Sequence, residues 1–335
     1  MFDVAIVGAG ISGLICAQQL RQAGYRVVLM EKSRGLGGRV TTRRLQDTCA
    51  DRGLSYLTPN GELTTRFVEL LKSQDIVTVW TDTRHEFKAD FGLKTVKGEP
   101  LYIAPNGMSA IARFLAKDLE VQLSRRVVGL NLFNDCWHLQ FESSNTEVIA
   151  KAVVMAIPAP QALVLIESFA APRVLDSLRK VEFSACISAI ARYPTNTPLP
   201  SWRSLTVLDD DTLAWIGNDS SKRLGNTLPI FVFHSSAKFA QTYIDTEDLQ
   251  PVGQLLLAKA AKLFPELANF DWLQCDRWRY AFPTVSLADH CLDARTPQPL
   301  FFCGDWCGGI NLESAMRSGL AAAEQINQVL QPTLS

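Results

Sequence analysis

The chain has 335 residues, 47% of them hydrophobic, enough to fill a large core and about two structural units. Its 33 Lys and Arg against 34 Asp and Glu leave a net charge of −1, without the electrostatic footprint of a general nucleic-acid or membrane-surface binder. Intrinsic disorder and a disulfide-stapled mini-fold are excluded on the same grounds.

Val4-Ala5-Ile6-Val7 is a continuous apolar run, the pattern of a parallel strand covered on both faces. A glycine turn follows, then a helical pattern through Leu14, Ala17, Leu20 and Ala23 closed by Gly24. Val27-Val28-Leu29-Met30 reads as a second buried strand ending in Glu31, which completes a βαβ unit. Residues 64–74 carry Phe67, Leu70 and Leu71 on one helical face, and 79–103 alternate as short strands. Met108 to Leu119 is expected to be a helix and Glu120 to Leu123 a strand. Val127 to Asn134 and Cys136 to Phe141 read as a hairpin that turns at Asn134-Asp135. A further buried strand, 152–157, stops at Pro158.

Residues 165–275 are richer in Pro, Ser, Thr and Asp, with strand-like stretches at 185–193, 204–216 and 228–235 and a mostly helical stretch at 247–268. The α/β grammar returns with strand Leu300-Phe301-Phe302-Cys303 and a helix from Leu312 to about Leu330. The expected fold class is α/β. A discontinuous Rossmann-type domain (1–75, 101–164 and 276–335) is expected beside a second domain with a mixed or antiparallel sheet (76–100 and 165–275).

The eight cysteines are scattered apart from Cys303 and Cys307, a C-x3-C with no nearby histidine, so no metal site is expected. Met1-Phe2-Asp3-Val4 leads straight into an apolar strand, and no apolar run approaches the roughly 18 residues needed to cross a bilayer. These features lead us to expect a cytoplasmic protein with reduced thiols and no membrane span.

Gly8-Ala9-Gly10-Ile11-Ser12-Gly13 is a G-x-G-x-x-G placed between a strand and a helix, the context a dinucleotide fingerprint requires. Gly8 permits the tight turn, Gly10 leaves room for a diphosphate, and Gly13 lets the helix pack on the sheet. The N–H groups at the helix start, from Ile11 and Ser12 on, carry about half a positive charge toward that diphosphate. Glu31, 18 residues after Gly13, is placed to accept hydrogen bonds from ribose hydroxyls. A second glycine loop, Lys32 to Arg39 with Gly38, can wrap a cofactor longer than NAD, with Arg39 holding its diphosphate bidentately. At the other end, Gly304 and Asp305 follow a strand, where a carboxylate can bind a ribityl hydroxyl. Asn311 is a plausible N-cap for the last helix, whose first turn at Leu312 could face a flavin ring.

Together with Asp51-Arg52-Gly53, these motifs resemble the FAD-dependent amine oxidase superfamily. Within it, three interior segments are similar to those of the renalases: Ala50 to Thr58 with Tyr56, Tyr102 to Ser109 with Asn106, and Trp278-Arg279-Tyr280. Arg52 stands where that group carries an apolar residue. The resemblance implies non-covalent FAD, held by the residues named above together with Val127, and an active site between the two domains. It also implies a renalase-like activity, the oxidation of aberrant dihydro isomers of NAD(P)H to NAD(P)+ with oxygen reduced to hydrogen peroxide. Candidate walls for the substrate ring are Tyr56, Asn106, His234, Trp278 and Tyr280. Hydride transfer from a dihydropyridine needs no strong base, because aromatisation of the ring supplies driving force. The alternatives are an amine oxidase of the same superfamily and an FAD-binding protein without turnover. The expected partners are a small-molecule substrate and O2, with no nucleic acid; the oligomeric state is not legible.

Overall fold

A computed structural model describes residues 1–46, 48–142, 144–225 and 228–330. In the first sheet, Phe2–Val7 is flanked by parallel partners: Val27–Glu31 and then Glu120–Leu123 on one side, Ser144–Met155 and then Leu300–Phe302 on the other. Its side chains alternate between two cores, which is why the run is apolar throughout. Val4 and Ile6 pack with residues of helices Ile11–Gln22 and Leu312–Val329. Ala5 and Val7 pack with Trp137 and Leu139 of the hairpin and with Ile166, Val174 and Leu178 from helices Ala159–Ile166 and Pro172–Arg179. The hairpin Val127–Phe133 and Cys136–Phe141 turns at Asn134 and Asp135, both with φ near +50°, as a two-residue hairpin loop requires.

The second sheet runs, edge to edge, Trp272–Val285, Glu182–Arg192, Ile230–Ser235, Leu213–Asn218, Ser204–Val207, Thr78–Lys88 and Gly92–Ile103. Its pairs are antiparallel except Ser204–Val207 with Thr78–Lys88, so the sheet is mixed. Helices Ala237–Tyr243 and Gln250–Leu263 cover one face through Phe239, Val252 and Leu256. Ala50, from the first-domain side of the chain, packs against Trp215, Ile190 and Val232 on the other. The second sheet takes in residues beyond the expected limits at 100 and 275, while helix Pro172–Arg179 packs on the first sheet.

Local chemistry explains where elements differ from expectation. The stretch 204–216 is two strands because Asp209 is left-handed and the Asp210 carboxylate accepts from the N–H groups of Thr212 and Leu213, a side-chain-made turn. The helix expected to reach Leu119 ends at Leu115, and Asp118 is left-handed beyond it. Residues 79–103 form one long hairpin rather than several short strands. Among the described residues, no helix is long and apolar enough to cross a membrane.

Candidate functional site

The first helix starts at the carboxyl end of the first strand, at Gly10, and carries no side-chain cap. Gly8 has φ +104°, and a Cβ there would meet the Ala156 carbonyl oxygen at 2.5 Å. A Cβ on Gly13 would run into the carbonyl oxygen of Gly8, whereas a Cβ on Gly10 would meet nothing within 4 Å. Two glycines seal the turn and the third leaves an open approach to the N–H groups of Ile11 and Ser12, which is the cradle a diphosphate needs. Glu31 is buried, and its carboxylate accepts from Ala9 N at 3.0 Å and Ser33 N at 2.8 Å. An ionised carboxylate has about four acceptor positions, so capacity for ribose hydroxyls remains. Val127 is buried beside Met30 and Val28 at the end of these strands. Lys32 is exposed, and its ammonium donates to Gln161 Oε1 at 3.2 Å.

The two chain ends meet here. Gly37 N donates to Ala9 O, and Gly38 lies against the Cα of Gly10. Arg39 and Asp305, expected as separate contacts to diphosphate and ribityl, form a bidentate pair with both N···O distances 2.7 Å. Arg39 also donates to the Ala281 carbonyl at 3.0 Å, which ties the second sheet's edge strand to the same point. Gly304 N donates to Ser318 Oγ, and a Cβ on Gly304 would strike the Trp306 indole. Asn311 caps the last helix: its Oδ1 accepts from Ser314 N at 3.0 Å while its own N–H donates to Ser314 Oγ. Leu312 is half-buried against the first core. Gly319 has room for no side chain, because a Cβ there would run into Ser12 O, and the last helix therefore crosses the first at close range. The glycine turn, Glu31, the Arg39–Asp305 pair and the capped final helix form one surface that fits an extended dinucleotide such as FAD.

Of the substrate candidates, His234, Trp278 and Tyr280 lie on strands of the second sheet, and Tyr56 and Asn106 on loops outside it. Tyr56 sits 6.1 Å from the rings of both Trp80 and Trp215, and Trp215 lies 5.0 Å from the imidazole of His234. Burial pushes the His234 pKa down to about 4, helped by the charge of Lys222, so this ring is neutral at pH 7. Burial likewise raises the Tyr56 phenol, although Arg84 and Ser204 oppose it. Trp278 donates from Nε1 to Arg52 O at 3.0 Å, and the Arg52 guanidinium lies 5.6 Å from its ring. Tyr280 is edge-on to Phe183 at 5.5 Å. Asn106 is exposed in the turn after Ala104, apart from this aromatic group. Of the five candidates, Tyr56 and His234 meet through Trp215, Trp278 lies against Arg52, Tyr280 lies against Phe183, and Asn106 is exposed.

Two features were not read from the sequence. The first is a buried ion cluster under the aromatic wall. Asp51 and Asp219 are fully buried and share Lys222 (3.4 and 2.8 Å) and Arg223 (2.6 and 2.8 Å). Asp51 also accepts from Met108 N and Thr42 Oγ1, so it joins the two domains. Lys222 lies 5.1 Å from the Trp80 ring. The second is a cross-strand row: Asp276, Ser188, His234 and Trp215 face one another across four strands. Asp51 stood inside a recognised segment, but nothing local announces partners some 170 residues away.

Comparison with known proteins agrees with this geometry. Residues 6–71 match a family model described as NAD(P)-binding Rossmann-like domain, and 87–327 match one described as flavin containing amine oxidoreductase. A segment of 61 residues is 43% identical to lysine-specific histone demethylase 1 homolog 1 of Arabidopsis thaliana, and covers 17% of this chain and 7% of that protein. Another of 50 residues is 50% identical to an L-amino-acid oxidase of Sistrurus catenatus edwardsii, covering 15% and 10%. The matches thus span only a small part of these relatives. Among solved structures, cyclohexylamine oxidase from Brevibacterium oxydans IH-35A superposes with a TM-score of 0.74 at 15% identity, over 98% of this chain and 99% of that one. A putrescine oxidase bound to putrescine gives 0.74 at 14% identity, with the same coverage. These likenesses show the same fold. With its second model matching most of the chain, the protein belongs to the flavin containing amine oxidoreductase family and is an FAD-dependent oxidoreductase.

Proposed function

We propose that the protein is an oxidase that takes hydride from a dihydropyridine-type donor, in the way of renalase-like oxidation of aberrant dihydro-NAD(P) isomers to NAD(P)+, with FAD held non-covalently. When bound, FAD supplies the two-electron acceptor that oxygen then regenerates. In balance, the donor gives up a hydride and becomes an aromatic pyridinium; that hydride and one solvent proton reduce O2 to H2O2.

The protein's residues orient and enclose. Gly10, the N–H groups of Ile11 and Ser12, and Glu31 would hold the ADP half, while the segment around Arg39 and Asp305 would take the riboflavin half. Tyr56, Trp215 and Trp278 supply flat faces against which a planar ring can be oriented, and alignment is the main demand of a hydride transfer. The observation that carries the reading is the charge beside those faces. His234 is neutral, and the nearest ionised groups to it and to Trp278 include the cations Lys222 and Arg52. Both cations are paired, Lys222 with Asp51 and Asp219 and Arg52 with Asp276, so these faces carry little net charge and a planar neutral ring meets no penalty there.

The second reading is an amine oxidase. It is favoured by the stacked Tyr56, Trp80 and Trp215, an aromatic lining suited to a desolvated amine, and by the amine-oxidising neighbours of the same fold. Anaerobic titration of the FAD-loaded protein decides between them. Bleaching of the flavin by dihydronicotinamide isomers is expected. Bleaching only by an amine panel selects the second reading, and a flavin that stays oxidised with every donor removes both.

A further inference from the structure

The first sheet holds a cavity that the cofactor and substrate sides do not use. Strand Ser144–Met155 pairs antiparallel with Cys136–Phe141 over its first half and parallel with Phe2–Val7 over its second. Where the two pairings part lies a cavity of about 370 Å³. That is within the range of small-molecule sites, about 300–1,000 Å³. Phe2, Phe141, Val148 and Ile149 give it apolar walls, and Gln122 and Arg125 give it polar ones.

The charges round it are one-sided. Arg125 is half-buried, its guanidinium 5.1 Å from the centre of the Phe141 ring, and Arg26 lies 4.6 Å from the centre of the Phe2 ring. Among the described residues neither guanidinium is ion-paired. The carboxylates nearby are engaged: Glu147, on the rim, is 3.0 Å from His138 Nδ1, and Asp3 is held by Lys151 at 2.8 Å. Drawing a guanidinium partly out of water without a counter-ion costs desolvation energy that a bound anion returns.

The donor set narrows the anion. Arg125 Nη1 donates to Thr146 Oγ1 at 3.4 Å, while Nε and Nη2 have no partner and are open to solvent. Those two N–H groups lie side by side on one edge of the guanidinium, the fork that grips a carboxylate bidentately. An ammonium would face two unpaired guanidinium groups. A phosphate dianion would find a single fork for two charges. A neutral apolar molecule would leave Arg125 unanswered.

We infer that this cavity is an accessory binding site for a small carboxylate with an apolar body. The head group sits on the Arg125 fork and the body lies against Phe2, Val148 and Ile149. The site is on the other sheet from the aromatic wall, so it does not depend on which donor the flavin oxidises. Its link to the cofactor half is through backbone, since Arg125 N donates to Glu31 O at 2.8 Å.

The FAD-loaded protein is titrated calorimetrically with hexanoate and with 1-hexanol, which keeps the body and lacks the charge. Hexanoate is expected to bind at least about 10-fold more tightly, as hydrogen bonds to an ionised group allow. Arg125→Gln should cut that preference below about 3-fold and leave 1-hexanol affinity unchanged. Ile149→Ser should weaken both compounds by similar factors, because it alters only the wall against the body. Flavin absorbance, followed throughout, should not move. Three results overturn the site: no hexanoate binding at millimolar concentration, equal affinity for the two compounds, or a preference that survives Arg125→Gln. Hexanoate that perturbs the flavin spectrum equally in the unmodified protein and in Arg125→Gln is bound beside the flavin instead, which also overturns it.

Discussion

The cofactor half and the substrate half are made of different materials. In the first, backbone would do most of the binding: a glycine turn, an uncapped helix start and N–H groups held by Glu31 lie within about 30 residues of sequence. In the second, the proposed substrate side is side chain throughout, with Tyr56 against Trp80 and Trp215, His234 beside Trp215, and a buried ion cluster of Asp51, Asp219, Lys222 and Arg223 behind them. A backbone-built site is insensitive to most substitutions outside its glycines, while a side-chain-built site can change specificity one residue at a time. One fold can therefore keep its cofactor while its substrates diverge.

The sharpest way to break that contrast is to disturb the charges beneath the substrate wall. Asp219→Ala leaves Lys222 and Arg223 sharing Asp51 alone in a fully buried position. Unpairing a buried charge costs about 3–5 kcal/mol, so urea unfolding should show a loss of that order. A loss below about 1 kcal/mol would mean that water reaches the cluster and that the domain junction does not depend on it.

The next largest effect falls on the cofactor half and should separate binding from stability. Gly10 has extended backbone, φ −77° and ψ 179°, and a Cβ there points into open space. Gly10→Ala should thus change unfolding free energy by less than about 0.5 kcal/mol. The added methyl occupies the approach to the helix start, however, and overpacking of about 1–3 kcal/mol corresponds to roughly 5- to 150-fold weaker FAD binding. Flavin fluorescence titration of the apoprotein measures it. Equal losses in stability and affinity would show that Gly10 is needed for the turn rather than for the ligand.

The same contrast explains what could be read from sequence. The glycine fingerprint, Glu31, the Asn311 cap and the Asn134-Asp135 turn are short-range devices, in which residue type at fixed spacing dictates geometry. The proposed substrate side depends on register. Ser188 faces His234 and Asp276 only because three strands pair in one alignment, and no local pattern encodes an offset of 46 or 88 residues. Tyr280 and Asn106 were singled out for type and segment; the structure puts one against Phe183 and the other at the surface. Arg39 and Asp305 were each legible as ligand-binding groups, but their mutual pairing joins positions 266 residues apart.

The smallest effect tests how the last helix is held. Glu313 reaches from its first turn to the start of helix Glu62–Ser73, where its carboxylate accepts from Thr64 N at 2.7 Å and Leu63 N at 3.2 Å, with Arg317 alongside at 2.8 Å. Burial works to raise its pKa, but the N–H donors of Thr64 and Leu63 outweigh it and hold the group below its ordinary 4.5. A carboxylate with a depressed folded-state pKa adds stability that is complete above its unfolded value and disappears as pH falls through the folded one. Glu313→Gln keeps the shape without the charge and, at pH 6–7, should cost about 1 kcal/mol, the usual worth of a helix cap with a favourable dipole. Below pH 4.5 the unfolding free energies of the two proteins should converge. A gap that persists unchanged to pH 3 would mean that Glu313 acts through packing, and that its link between the first and last segments of the cofactor half is not electrostatic.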